Sequence, residues 1–179
     1  AAASRHAANP ADKILPLPGA MASAMAALIF EADPLSGQFL FWADTLASLS
    51  RLGMGLGIAT LSALLVGLVL GALPPVRTTF GPMVTAIAVI PPIALLPILF
   101  ITFGLGETAK VALIVVGIAP FMIRDLAGHI AALPREQIVK SLTLGASSWQ
   151  LLLRVALPQA MPRLIEALRL SLGPAWVFL

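Results

Sequence analysis

The sequence predicts an all-α membrane protein, a polytopic bundle of transmembrane helices. Three observations predict this class. Of the 179 residues, 59% are hydrophobic and only 11% are charged; the mean hydropathy is +1.00; and long apolar stretches recur along the chain. A soluble domain carries about 25% charged residues, so too few are present here to cover a water-facing surface. The absence of cysteine excludes disulfides, thiolate metal sites and cysteine nucleophiles.

Residues 1–45 are predicted to form an outward-facing extended segment that includes one short helix. The stretch 1–18 is small, polar and punctuated by proline, which favours an extended chain. Methionines and aliphatic residues at helical spacing predict an amphipathic helix over 19–31, too short to span a bilayer. A turn is expected at 33–37, followed by an aromatic cluster that is typical of a membrane boundary or of ordinary packing.

Residues 46–179 are predicted to form the membrane domain, with spans at about 46–73, 82–103, 107–130 and 158–179. At about 1.5 Å per residue, the first span can cross a hydrocarbon core of about 30 Å. Between the first two spans, VRTTFGP reads as a short polar loop. Glycines four residues apart, which let helices approach closely, occur twice in the first span, as Gly53 with Gly57 and Gly67 with Gly71.

The second span is predicted to be broken, because it contains Pro91, Pro92 and Pro97. A broken helix is costly against lipid, so we expect it to face other protein or a wet cavity. The alternative is a kink with no role in transport. Phe100 and Phe103 can act as gate side chains or as ordinary packing.

Charge predicts the orientation. The basic residues lie between spans one and two, or between spans three and four and at their adjoining ends: Arg77, Arg124, Arg135, Lys140, Arg154 and Arg163. The opposite ends carry acidic residues, and positively charged loops stay cytoplasmic. This orientation places residue 1 outside. Because the chain begins without methionine and stops in an apolar run, we expect a fragment whose last span is truncated and which a further span precedes.

Residues 134–157 are predicted to form a cytoplasmic hairpin of two short helices. Pro134 suits a helix start, Gly145 can end that helix with a positive φ, and Ser147 or Ser148 can cap the next. Pro158 and Pro162 are expected to restart the chain into the membrane. The apolar side chains can fill a groove on a partner, with Arg154 at its rim, or can lie on the protein's own bundle.

The hairpin resembles the cytoplasmic loop of permeases of binding-protein-dependent ABC importers, the type I transmembrane subunits. In that family a glycine is followed after nine residues by an aliphatic residue, any residue and Leu-Pro, and here Gly145 precedes Val155-Ala156-Leu157-Pro158 in that spacing. The stretches SLSRLGMGLG, IPPIALLPILFITFGLGETAK and LGASSWQLLLRVALPQAMPRLIEALRLSLGPAW are similar to the nitrate, sulfonate and taurine branch, over roughly residues 14–179. The Glu-Ala-Ala of the motif is replaced by Val139-Lys140-Ser141, with Glu136 one turn earlier.

The resemblance implies a transport subunit and not an enzyme, in a bacterial inner membrane, working by alternating access. It implies a separate cytoplasmic ATPase that holds ATP-Mg, a periplasmic or lipid-anchored substrate-binding protein, and a second permease copy, with a small anion such as nitrate, sulfonate or taurine as substrate. The expected ATPase-coupling residues are Leu142, Leu144, Gly145, Ala146, Ser147, Trp149, Leu152, Arg154 and Pro158. The expected path or gate residues are Pro91, Pro92, Pro97, Phe100, Phe103 and Arg169.

Two arginines in apolar helices are further candidates, because a charge in a membrane is expensive. Arg51 or Arg169 can attract an oxyanion if it faces the pathway; alternatively Arg169 pairs with Glu166, or either side chain extends to the interface. The sequence has no phosphate-cradling Gly-Lys-Ser/Thr motif and no metal-ligand spacing, so we expect no cofactor on this chain. The rival hypotheses are an ATP-independent secondary transporter or channel and, far behind, a membrane-embedded enzyme.

Overall fold

The computed structural model describes residues 18–34 and 36–179, and within them every regular element is helical. The predicted all-α class is confirmed. The extended segment predicted for residues 1–18 lies, except for Pro18, outside the described residues. The chain divides into residues 1–49 and 50–179, and the division falls inside a helix.

Residues 1–49 contain helix α1 (Pro18–Phe30) and the start of a long helix. The prediction of an amphipathic α1 was wrong, because Ser23 is its only polar side chain and that hydroxyl donates to the Ala20 carbonyl at 3.1 Å. The turn predicted after α1 is present. The Asp33 carboxylate accepts from the Ser36 amide at 2.9 Å, and Gly37 has a φ of 67°.

Helix α2 (Leu40–Ala72) includes a π turn at Ala63–Gly67 and ends before Pro74, whose ring disfavours a helical residue in front of it. From position 55 onward every fourth residue is glycine or alanine, and all five are buried: Gly55, Ala59, Ala63, Gly67 and Gly71. Four residues turn slightly more than one α-helical turn, so the wider π turn limits the drift and keeps this stripe on one face.

Helix α5 (Glu107–Ala131) packs directly on the small-residue stripe. Ile114 lies over Gly55, Leu126 over Gly67 and Ile130 over Gly71. Residue numbers rise in the same direction along both helices at this contact, so α2 and α5 run parallel. Of the two predicted glycine pairs, only Gly67 and Gly71 lie at this interface, whereas a Cβ on Gly53 or Gly57 would meet nothing within 4 Å.

The chain between these parallel helices forms a bent pair. Helix α3 (Pro74–Val89) and a segment Pro92–Phe103, made of a 3-10 turn and helix α4 (Leu96–Phe103), meet at 87°. The prediction of a polar loop at 76–82 was wrong, since Pro74 and Pro75 occupy the first turn of α3, where no amide partner is needed. Because α2 and α5 are parallel, the chain must return along the bundle between them. The bent pair makes this return, from the end of α2 to the end of the bundle where α5 begins.

The break between α3 and α4 is seated on α5. A Cβ on Gly117 of α5 would lie 3.0 Å from Pro92 Cβ and 2.7 Å from the Phe178 ring. At the predicted break in the second span, the side chains of Pro92 and Phe178 therefore pack directly on the backbone of α5, which explains a glycine at this position.

After the short helix α6 (Arg135–Thr143), helix α7 runs without interruption over residues 148–177, through a π turn at Leu152–Ala156. The sequence predicts that Pro158 and Pro162 restart the chain into the membrane after the hairpin. Instead both lie within α7, and the π turn ends two residues before Pro158. Helix α7 packs antiparallel to α5, since Arg163 reaches Asp125 whereas Phe178 reaches Gly117.

Among the described residues, α2 and α5 are long and apolar enough to cross a membrane, and a third span results if the bent pair counts as one. The core lies where α2, α5 and α7 meet, with Ile114, Met122 and Leu126 of α5 fully buried. Helix α7 carries Arg163, Glu166 and Arg169, and it is not among these candidate spans. A fourth span at 158–179 therefore stays a prediction.

Candidate functional site: the hairpin between α5 and α7

Helix α6 is the first arm of the predicted hairpin, and it stands clear of the bundle. None of its residues is buried. Its N-terminus follows Pro134, whose extended ψ of 128° ends the preceding turn, and Glu136 lies in its first turn, where the helix dipole favours a negative charge. Val139, which replaces the glutamate of the family motif, and Lys140, which replaces the first alanine, are both exposed.

Gly145 closes α6 as predicted. Its φ is 82°, a region that other residues rarely enter. The Ala146 amide donates to the Ser141 carbonyl and the Gly145 amide donates to the Leu142 carbonyl, each at 3.0 Å. These two bonds form a Schellman motif, which satisfies the last carbonyls of α6 and reverses the chain direction.

Ser147 starts the second arm with a capping box. Its hydroxyl accepts from the Gln150 amide at 3.3 Å, and its own amide donates to the Gln150 side-chain oxygen at 3.0 Å. Of the two serines proposed as caps, Ser147 therefore fills the role. The turn between the arms is fixed on both sides by backbone and side-chain hydrogen bonds.

The second arm is the beginning of α7 rather than a separate helix. It therefore continues from the hairpin directly into the bundle, where Ala156, Ala160 and Leu164 are buried. The first arm is tied to the same helix, because Gln159 Nε2 donates to Gln137 Oε1 at 2.9 Å. A force applied to the hairpin consequently acts on α7 without an intervening loop.

The hairpin exposes large apolar side chains around its turn. Leu144 is 80% exposed, Trp149 65% and Leu142 51%. Between the arms lies an open groove of about 400 Å³ lined by Ser141, Leu144, Gly145, Ala146, Gln150, Arg154 and Val155. Of the predicted coupling residues, Leu152 differs: it is partly buried against the core of the bundle, so its side chain serves packing. Pro158 is exposed on α7.

A charged cluster joins α5 to α7 next to the hairpin. Arg163 donates from Nε to Asp125 at 2.8 Å and from Nη2 to the same carboxylate at 2.5 Å, and its Nη1 donates to Glu166 at 3.0 Å. The pairing that we considered for Glu166 with Arg169 was wrong. Asp125 is the partner that sequence reasoning missed, although an acidic residue inside an apolar helix was a signal for it.

We predict that Arg163→Gln lowers the free energy of unfolding by about 1–2 kcal/mol, because it leaves the partly buried Asp125 without its cation, beside Glu166. Chemical or thermal unfolding in detergent measures the loss. The matched control is Arg169→Gln, which removes an exposed arginine of the same helix with no ion pair in the described chain, and its effect should stay within about 0.5 kcal/mol. Equal losses in the two variants would contradict the cluster's role.

The predicted path and gate residues lie in two places: the prolines and phenylalanines lie on the bent pair, and Arg169 lies on α7. Pro91, Pro92 and Pro97 lie together at the break, and Phe100 and Phe103 follow on α4. Phe103 is 49% exposed and precedes Gly104, which has a φ of 75°. Arg169 is exposed on α7, and no hydrogen bond joins it to this group in the described residues.

Arg51, the other arginine considered for anion binding, has a protein partner. Its guanidinium donates to both carboxylate oxygens of Glu107, and Nη2 lies 2.9 Å from Oε1. The pair links α2 to the first turn of α5. The charge of Arg51 is therefore neutralised within the protein, by a carboxylate 56 residues away in the sequence.

Comparison with known proteins finds relatives among transport permeases. The chain is 38% identical over 136 residues to the taurine transport system permease protein of Escherichia coli, covering 75% of this chain and 49% of that protein. It is 30% identical over 135 residues to a putative ABC transporter permease protein of Methanocaldococcus jannaschii, covering 75% and 50%. It is 28% identical over 139 residues to a bicarbonate transport system permease protein of Synechococcus elongatus, covering 77% and 49%.

The chain thus spans about half the length of the curated relatives it matches. Residues 63–179, which include the bent pair, α5, the hairpin and α7, match the family described as binding-protein-dependent transport system inner membrane component. This match covers most of the membrane domain and fits the candidate spans α2 and α5. The chain belongs to that family of inner membrane transport components.

Proposed function

We propose that this chain is the permease subunit of an ATP-driven importer and that its hairpin docks on a separate cytoplasmic ATPase. One observation carries the proposal: Leu144 and Trp149 stand exposed on either side of a turn that hydrogen bonds fix from both sides. Large apolar side chains left in water at a rigid, protruding turn are typical of a protein-binding surface.

The connection to α7 supports coupling as well as docking. A hairpin that continues into a helix of the bundle transmits rigid-body movement of a partner to the membrane domain. In the proposed cycle, ATP binding draws two such hairpins together, one from each of two permease copies, and the bundle opens outward. A substrate-binding protein delivers the substrate on the outer side.

We predict that Leu144→Ala with Trp149→Ala weakens binding of the ATPase at least about tenfold, since truncating central apolar anchors commonly costs 2 kcal/mol or more. A purified ATP-binding subunit of this importer class is the probe, and its affinity for the reconstituted full chain is the measurement. ATP-driven uptake should fall in parallel.

The matched control is Leu105→Ala. Leu105 is 81% exposed, as exposed as Leu144, but lies in the turn predicted to face outward. It should leave the ATPase affinity unchanged. An equal loss in the control would overturn the predicted orientation, whereas uptake that persists without ATPase or nucleotide would favour the rival, an ATP-independent transporter.

We propose a small anion as the substrate, in the class of nitrate, sulfonates and taurine. The similarity to a taurine transport permease and to a bicarbonate transport permease supports this class. Exposed Arg169 on α7 is the residue through which the path would attract the anion. Competition between labelled taurine and unlabelled nitrate, bicarbonate or alkylsulfonate in cells with and without Arg169→Gln tests both points, and unchanged kinetics in the variant would remove Arg169 from the path.

A further inference from the structure

A cavity separate from the hairpin lies between α3 and α5, beside the end of α2. Its volume is about 310 Å³, and it is lined by Leu70, Arg77, Gly81, Pro82, Val84, Thr85, Arg124, Ala127 and Gly128. Two of these residues are arginines, contributed by different helices. The aliphatic stem of Arg77 lies along Gly81, with 3.7 Å between Arg77 Cγ and a Cβ placed at Gly81. The stem of Arg77 therefore packs along the wall of the cavity at ordinary van der Waals distance.

Neither arginine of the cavity pairs with a carboxylate in the described residues. In the described residues, neither Arg77 nor Arg124 takes part in an ion pair, and no acidic side chain lines the cavity. Asp125, the neighbour of Arg124 in sequence, is engaged by Arg163 on α7. The one hydroxyl in the wall, on Thr85, donates to the Gly81 carbonyl at 2.9 Å. Two like charges that share a cavity repel each other, and a bound anion removes the repulsion.

The position and the walls of the cavity specify the anion. Arg77 lies in the first turn of α3 and Arg124 about two turns before the end of α5, both at the end of the bundle predicted to face the cytoplasm. The remaining walls, including Leu70, Pro82 and Val84, are apolar. Guanidinium groups match phosphate oxygens in pairs, and basic cavities between helices at the cytoplasmic membrane surface suit anionic lipid headgroups.

We propose that this cavity binds the phosphate of an anionic membrane phospholipid between Arg77 and Arg124. Its volume is at the low end of ligand sites, about 300–1,000 Å³, so it holds a headgroup while the acyl chains run outside along apolar surface. The bound lipid bridges α3 to α5, and hence ties the bent pair to the central helix of the core. This site is independent of ATPase docking.

The test compares the full chain with Arg77→Gln/Arg124→Gln in nanodiscs of phosphatidylcholine, with and without added phosphatidylglycerol. Native mass spectrometry counts the retained phosphatidylglycerol, and thermal unfolding reports its effect on stability. We expect the wild type to retain phosphatidylglycerol and the double variant to bind it about tenfold more weakly or worse. In phosphatidylcholine alone the double variant should be at least as stable as the wild type, because its like-charge repulsion is gone.

The control is Arg135→Gln, which removes one positive charge from the same predicted side but lies outside the cavity. It should retain phosphatidylglycerol as the wild type does. An equal loss in this control would show general charge attraction and overturn the site. No preference of the wild type for phosphatidylglycerol over phosphatidylcholine would overturn it too. If inorganic phosphate displaces phosphatidylglycerol and stabilises the wild type equally, the site takes free phosphate and the lipid assignment is wrong.

Discussion

Gly145→Val is expected to abolish ATP-driven uptake while the membrane bundle stays folded. A φ of 82° costs an L-residue about 1–2 kcal/mol, and a β-branched side chain fits there worst of all. Both hydrogen bonds of the turn, from Ala146 to Ser141 and from Gly145 to Leu142, depend on that φ. Without them the hydrogen bond from Gln159 to Gln137 still joins the arms, but the turn no longer holds Leu144 and Trp149 as one surface for the ATPase.

Stability should respond much less than transport. No residue of α6 is buried, so opening the hairpin exposes little apolar surface and remains a local event. Uptake and ATPase activity in proteoliposomes, together with thermal unfolding of the same preparation, separate the two effects. A large drop in the unfolding temperature would show instead that the hairpin supports the bundle.

Gly145→Asn provides the matched variant at the same position. Asparagine tolerates the left-handed conformation better than other non-glycine residues, so it preserves the turn at little cost. We expect uptake by the asparagine variant to approach that of the wild type. If asparagine and valine abolish uptake equally, the requirement at position 145 is for the absence of a side chain at the docking surface, and not for the positive φ.

The hairpin was largely predictable because its signals are local. A proline marks the start of the first arm, a glycine marks its end, and a serine marks the start of the second arm. The hydrogen bonds at these three helix ends reach residues at most a few positions away. The same local rules misjudged Pro158, because a π turn in the preceding residues accommodates a proline that a regular α-helix would not. Such a turn has no sequence signature that we could use.

The partners of the charged residues were not predictable from one sequence. Arg51 pairs with Glu107 and Arg163 with Asp125, over separations of 56 and 38 residues. Sequence spacing suggested only the neighbour within the same helix, whereas the actual partner depends on which helices pack together. Which glycines lie at the helix contact also depends on which helices pack together. Gly53 and Gly57 satisfy the spacing rule, but α5 packs on the face of α2 that carries Gly55.

The largest change in the free energy of unfolding is expected for a substitution at a glycine that α5 contacts. Gly71→Ala should lower the free energy of unfolding by about 1–3 kcal/mol, the usual cost of overpacking a tight contact. The added Cβ would lie 2.6 Å from Ile130 Cβ and 2.9 Å from the Ala127 carbonyl oxygen. Both atoms belong to or adjoin the backbone of α5 and cannot move aside by a rotamer change, so the helices themselves must separate.

The same substitution at Gly53 is expected to have the opposite sign. Nothing lies within 4 Å of a Cβ there, and replacing glycine by alanine inside a helix stabilises it by about 0.5–1 kcal/mol. Denaturant unfolding of the two variants in one detergent gives the comparison. If both variants are stabilised, helix propensity decides both and the tight contact at Gly71 is absent. Opposite signs would show that α2 presents its buried stripe, and not its Gly53 face, to α5, as the parallel packing of these two helices requires.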